Sequence, residues 1–348
     1  MPVFQADRLE EIATRILVAT SVPDADARIV ARELSSANLV GHDSHGVIRL
    51  MQYVNSIEKG QIQPKNRIEV LQAGPSFVLL DAHQAFGQVA ANRALELAQA
   101  MAETSGTATA LIRNCNHVGR LGAYSQKAAL AGFGAMMAVN APGPGGVAPF
   151  GAVDRRLGTN PISMAAPCGE HPLVLDMTSS ATAEGKVRVA FQKGEEIPEG
   201  WIIDAQGNAS TNPADLYAKP PGAILPLGGP LGFKGSGLSM MIDVFAGVLS
   251  GSGVARKDLP LGANGVWMYL VDVEQFLPRE EYDRWLDRYR EHIKSARRRP
   301  GVDEVLLPGE LEMRRQRERL EQGIELPEET WRQIRELADR LGVALETL

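Results

Sequence analysis

Gly143-Pro144-Gly145-Gly146-Val147-Ala148 is the stretch on which the fold turns. It matches the dinucleotide fingerprint G-x-G-x-x-A and follows a strand-like run, Met136–Val139. A working fingerprint needs a helix directly behind its glycines, whose first N–H groups hold the pyrophosphate. Here Pro142, Pro144 and Pro149 crowd the segment, and nothing after it has helical periodicity. The match is rejected, so any dinucleotide bound by this chain is held outside a Rossmann frame. Gly185-Lys186 likewise lacks the upstream glycine and the following Ser/Thr of a P-loop.

On either side of this segment strands and helices alternate. Thr107–Ile112, Gly134–Val139, Ile162–Ala166, Leu173–Asp176 and Val266–Val271 read as strands, Leu121–Leu130 and Gly235–Leu249 as helices. This is an α/β pattern. Towards the chain ends only helices are expected: one carrying Leu9, Ile12, Ile16 and Leu17, one from Pro23 to Leu39, one from Asp43 or Ser44 to Gly60, then Glu280–Arg297 and Pro327–Leu341. The Pro/Gly-rich segments 140–151 and 220–232 read as long ordered loops, places where ligands are held.

Composition narrows the classes of function. The chain has 348 residues, 44% hydrophobic and 22% charged, enough for a substantial core. With 36 basic against 42 acidic residues and one dense basic run, Arg297-Arg298-Arg299, nucleic acid is not an expected partner. Cys115 and Cys168 are too few for a disulfide framework or a cysteine zinc site, and no apolar run has the length of a membrane span. No histidine pair has the spacing of a metal helix, so no metal is expected. The reading is a cytoplasmic chain that binds no membrane.

Chemistry concentrates in Gly41-His42-Asp43-Ser44-His45-Gly46-Val47-Ile48-Arg49. In a helix His45 and Arg49, four apart, share a face. A proton donor beside a planar two-pronged cation suits a 2-oxo or 2-hydroxy acid: Arg49 grips the carboxylate while His45 exchanges the proton of the C2 oxygen. The plainer alternative makes Asp43 and Ser44 caps and Arg49 a surface charge. His42 reads as structural. A hydrolase using Ser44 and His45 is disfavoured, since adjacent residues on a helix diverge by roughly 100 degrees and the G-x-S-x-G elbow is missing.

Three further segments could meet an anion. Asn114–Gly122 leaves a strand and enters a helix, Asp176-Met177-Thr178 closes a strand ahead of Lys186, and Gly232–Gly237 is a basic loop opening a helix. Each is equally open to a packing or capping role.

Taken in order, GHDSHGVIRL, NHVGRLGAY, GTNPIS, LDMTSSATAEGK, LPLGG with GFKGSGLSMMIDVFAGVLSG, and LLPGELE resemble the malate/L-lactate dehydrogenase family of NAD(P)-dependent enzymes, from about residue 6 to the C-terminus. The resemblance implies a three-layer α/β/α fold with a mixed, non-Rossmann sheet, like that of L-sulfolactate dehydrogenase. It implies a small helical lobe from 1–75 with 275–348 and a central cofactor-binding lobe at 76–274. It implies hydride transfer between NAD or NADP, NAD first, and C2 of a small 2-oxo or 2-hydroxy acid, in a homodimer. His45 resembles the proton donor, Ser44 its polar partner, and Arg49 and Thr159 the substrate contacts. His117, Val118, Gly119, Arg120, Leu121, Asp176, Met177, Thr178, Lys234, Gly235, Pro308, Gly309, Glu310, Leu311 and Glu312 resemble the cofactor-lining residues. Lys186, grouped with the catalytic residues, stands where the family's cyclic-imine reductases carry an aspartate, which disfavours that alternative activity.

Overall fold

Alternating apolar residues in the middle of the chain pair into one seven-stranded sheet. The computed structural model describes residues 1–65, 67–143, 145–256 and 264–345. The strands of that sheet are β1 (Glu69–Gly74), β2 (Phe77–Asp81), β3 (Thr107–Cys115), β4 (Phe133–Asn140), β5 (Pro161–Ala166), β6 (Leu173–Thr178) and β7 (Asn264–Asp272), in the order β1-β2-β3-β7-β4-β5-β6. Only β2 and β3 run parallel, Phe77 facing Thr109; the other pairs are antiparallel.

The helices are α1 (Ala6–Ala19), α2 (Asp24–Leu39), α3 (Leu50–Glu58), α4 (Gly87–Ser105), α5 (Gly122–Leu130), α6 (Glu184–Lys193), α7 (Phe233–Ile242), α8 (Arg279–Lys294), α9 (Glu310–Gln322) and α10 (Glu328–Arg340). Along β7, Val266, Met268 and Leu270 pack with the alanines of α4, while Trp267 packs with Ile242 and Ala246 on the opposite side. The period of two in a strand thus puts a helical layer on each face. The one parallel crossover, β2–α4–β3, carries no glycine run in its Asp81–Gly87 turn. The 143–148 stretch is irregular, Val147 pairing with Leu157 and Ile224, so no helix follows its glycines; Pro144 lies outside the described residues.

A second core joins the chain ends. Leu9, Ile12, Ile16, Leu17, Leu34, Leu50, Tyr53 and Val54 bury against Ile324, Ile334 and Leu337, with Phe86 included. Fully burying each such side chain is worth roughly 1.5–3 kcal/mol as an upper bound. Helix α8 lies elsewhere, its Tyr282 hydroxyl donating to the Pro167 carbonyl. Among the described residues no helix is long and apolar enough to cross a membrane.

Several boundaries differ from the sequence reading. The 43–60 helix is broken: Asp43–His45 and Val47–Arg49 form separate single turns, and α3 begins at Leu50. Gly46 has extended backbone (ψ −157°), and the Asn38 side chain takes the Val47 N–H at 2.9 Å, so a continuous helical ladder cannot form. The helix expected at Gly235–Leu249 starts at Phe233 and widens into a π-turn at Asp243–Val248. Helix α8 stops at Lys294, short of the arginine run.

Candidate active site

The broken segment, not a helix face, builds the site. Asn38, 1% exposed, reaches up from α2: its Oδ1 accepts from Val47 N and its Nδ2 donates to Asp43 Oδ1 at 2.7 Å. A Cβ on Gly46 would fall 2.2 Å from Asn38 Oδ1, so the turn requires glycine there. Arg319 of α9 completes the clamp, meeting Asp43 with Nη1 at 2.7 Å and Nη2 at 3.0 Å. Asp43 is therefore a fork-held anchor rather than a helix cap.

Within this frame Ser44 Oγ lies 3.0 Å from His45 Nδ1. The angular argument against that contact assumed a helix and fails with it; the single turn lets neighbouring side chains meet. Arg49 folds back, Nε donating to Ser44 O and Nη1 to Gln52 Oε1, both at 2.6 Å. His45 and Arg49 thus converge through a backbone turn rather than a shared helical face. Among the described residues no carboxylate lies within ion-pair distance of Arg49. Burial lowers the Arg49 pKa, with Arg188 adding to the effect. The His45 ring stacks on His117, centroids 5.4 Å apart and 19° between planes. Burial, then the Arg49 charge, pushes His45 down to about 4, so its imidazole is neutral at pH 7.

His117 Nδ1 lies 2.8 Å from the Tyr53 hydroxyl, which Gln88 Nε2 approaches to 2.7 Å. Burial holds the His117 pKa well below the usual imidazole value and raises that of Tyr53 to about 12. Arg120 is 6% exposed; its Nη2 donates to Gln126 Oε1, yet its Nε is buried with no partner among the described residues. Asp176 Oδ2 accepts from Gly122 N at 2.7 Å, and burial raises its pKa. Glu312 Oε1 lies 3.4 Å from His42 Nε2, which holds that carboxyl low. Asp176 and Glu312 are both close enough to act on the charge of Arg120.

The structure therefore gathers Ser44, His45, Arg49 and His117 in one group and Arg120, Asp176 and Glu312 in an adjoining one. Lys186 is exposed in the first turn of α6; a Cβ on its neighbour Gly185 would lie 3.9 Å from Ser44 Cβ. Thr159 offers its carbonyl to Ser179 N and Oγ, both at 3.1 Å, and Thr178 Oγ1 donates to Ser180 O. Met177 lies beside it in β6, packed with Ile242 and Ala246. Pro308 O takes the Val174 N–H at the sheet edge, Gly309 (φ 91°) leads into α9, and Leu311 is exposed. Glu310 is occupied by Lys294 and Leu307 N. Lys234 and Gly235 open α7 against another loop: a Cβ on Gly235 would lie 2.2 Å from Leu227 O. Val118 and Leu121 are buried in the sheet core, and Gly119 takes positive φ (79°).

Sequence reading missed Tyr53 and Gln88. Tyr53 carried a signal, since it stands one helical turn beyond Arg49; Gln88 sits in α4, a helix left unread because its buried face is alanine.

A dinucleotide fits this chemistry. The Arg120 guanidinium has an unpartnered buried N–H inside the irregular 116–121 turn, the type of donor that an anionic group satisfies.

A sequence profile described as malate/L-lactate dehydrogenase matches residues 4–335. The malate dehydrogenase of Pyrococcus horikoshii is 38% identical over 346 residues, 97% of this chain and 95% of that one. A solved putative malate/lactate dehydrogenase from Escherichia coli superposes with TM-score 0.93 at 33% identity, covering 100% of this chain and 97% of that one. Sulfolactate dehydrogenase from Methanocaldococcus jannaschii does so with TM-score 0.89 at 31% identity, covering 99% of both. The profile and the relatives cover nearly the whole chain, and the chain belongs to the malate/L-lactate dehydrogenase family of oxidoreductases.

Proposed function

We propose that this protein interconverts a small 2-oxo acid and the corresponding 2-hydroxy acid, with His45 as proton donor and acceptor and Arg49 as the carboxylate receptor. The observation that carries the reading is the half-buried Arg49 guanidinium without a carboxylate partner, beside a neutral histidine. A buried cation left uncompensated by the protein is completed by an anion from solution. Two of the five Arg49 N–H groups are taken by Ser44 and Gln52, which orients the remaining edge for a carboxylate fork.

A nicotinamide held there would supply or take the hydride at C2. His45 holds the proton that the C2 oxygen gains or loses, and Ser44 Oγ fixes the ring through Nδ1. Substrate binding tunes that step. Arg49 is the largest charged contribution lowering the His45 pKa, so a carboxylate seated on Arg49 raises the proton affinity of His45 as the alkoxide forms. His117 through Leu121, Asp176 to Thr178, Lys234 with Gly235, and Pro308 to Glu312 are the residues proposed to hold the cofactor, and Thr159 and Lys186 to border the substrate. The 76–274 lobe would carry the cofactor and the chain ends the helical lobe.

NAD is the first carrier to test and NADP the second. The proposed assembly is a homodimer, supported by the exposed Met240, Met241, Val244, Phe245, Val248 and Leu249 on α7 and its π-turn. Free, buried Cys115 and Cys168 accord with a reducing cytoplasm. A screen of 2-oxo acids against NADH and NADPH, followed by nicotinamide absorbance, tests the reading; no oxidation with any 2-oxo acid would overturn it.

A further inference from the structure

We propose that Gln88 is a positioning residue: through Tyr53 it fixes His117 as the tautomer carrying its proton on Nε2, so that the ring stacked on His45 keeps a hydrogen-bond donor for what binds in the site. This rests on the reading of His45 and His117 as one site.

The inference follows from counting protons. Gln88 is fully buried in the first turn of α4, and its amide nitrogen lies 2.7 Å from Tyr53 Oη. An amide N–H can only donate, so the Tyr53 oxygen accepts. Tyr53 has one hydroxyl proton, and burial keeps it in place. That proton points to the other neighbour, His117 Nδ1 at 2.8 Å. Nδ1 then offers a lone pair, and a neutral imidazole with a bare Nδ1 holds its proton on Nε2.

What prevents the chain from running the other way is the surrounding backbone. A Cβ on Gly87 would fall 2.3 Å from Asn116 O and 2.5 Å from His117 O, so α4 is seated directly on the 116–117 peptide. A Cβ on Gly119 would lie 3.5 Å from Gln88 Nε2. The amide is enclosed, and its Oε1 is buried without a partner among the described residues. Turning the amide over would satisfy that oxygen by stranding an N–H group instead, the rarer and costlier orphan. Tyr53 and His117 belong to separate segments, α3 and the turn after β3, and among the described residues it is Gln88 that gives their contact a direction.

The test is the ring ¹⁵N spectrum of histidine-labelled protein, with Gln88→Leu and Tyr53→Phe beside wild type. In wild type the His117 signals should be pyridine-like at Nδ1 and pyrrole-like at Nε2. Either variant removes the direction, and a population protonated at Nδ1 should appear. Turnover should fall about tenfold, and the double variant should lose no more than Tyr53→Phe alone, because the residues act in series. Tyr53→Phe removes a single oxygen and retains the fold if Gln88→Leu does not. A His117 that stays protonated only at Nε2 in both variants, or losses that multiply in the double variant, would overturn the proposal. The spectrum needs no substrate, so it reads the tautomer even in a protein that reduces no 2-oxo acid, and the two failures are distinguishable.

Discussion

Replacing Arg49 by lysine keeps the charge and discards the fork, which separates two things the site asks of this residue. In the structure Nε and Nη1 are committed to Ser44 O and Gln52 Oε1 at 2.6 Å, leaving the far edge of the guanidinium to a carboxylate. An ammonium cannot make both internal bonds and a two-pronged contact together. Losing one charge-assisted hydrogen bond in a partly dried site, and the orientation that goes with it, is worth about 2–4 kcal/mol. That corresponds to a drop in kcat/KM of roughly 30- to 1000-fold. An exposed, screened cation would cost about 1 kcal/mol or less. Wild type and Arg49→Lys should be compared on a 2-oxo acid and on its methyl ester or amide, with nicotinamide absorbance as the signal. Wild type should strongly prefer the acid, and the variant should lose most of that preference. An undiminished preference for the acid in Arg49→Lys would refute the assignment and move the carboxylate to Lys186 or Lys234.

His45→Ala should lower kcat by on the order of 10²-fold or more with cofactor affinity nearly unchanged, measured by turnover and cofactor fluorescence; near-normal turnover would remove His45 from proton transfer. The depressed His45 pKa also sets an acid limit. The unfolded chain binds this proton near pH 6.5 and the folded chain near 4, so stability is present above 6.5 and is lost as pH falls through that window, by on the order of 3 kcal/mol at its foot. Thermal melts of His45→Gln against wild type should therefore converge or cross between neutral pH and pH 4, and parallel curves would contradict the shift. Gly46→Ala should cost about 1–3 kcal/mol and most of the activity, because its Cβ would displace the Asn38 side chain that holds the turn; a variant with wild-type melting and turnover would show that the turn tolerates that displacement.

Much of this protein is written in local pattern. Period-two apolar residues marked β3 to β7, apolar residues at helical spacing marked α1, Pro23 marked the start of α2, and three prolines around 143–148 were enough to exclude a Rossmann frame, because each is a short-range steric or burial preference. The residues of the site were legible as types: a histidine, a serine and an arginine within a few positions, and an arginine after His117. Their geometry was not. Helical spacing joined His45 to Arg49 for a reason that does not hold, since Gly46 and the buried Asn38 side chain break the ladder and the two converge across a turn. Arg319, far along the chain, holds Asp43 beside that break, and no local preference reports it. Helix α4 went unread because Ala90, Ala91, Ala94, Ala98 and Ala102 carry little hydrophobic contrast, although they let the helix lie close on the sheet. With α4 unseen, Gln88 could not be set beside Tyr53, nor Tyr53 beside His117. Residue types and the spans of the central strands follow from short-range rules acting on the sequence; the order of those strands, with β7 between β3 and β4, does not. The proton affinities of His45 and His117 depend on what is buried around them, and burial exists only when distant segments have packed.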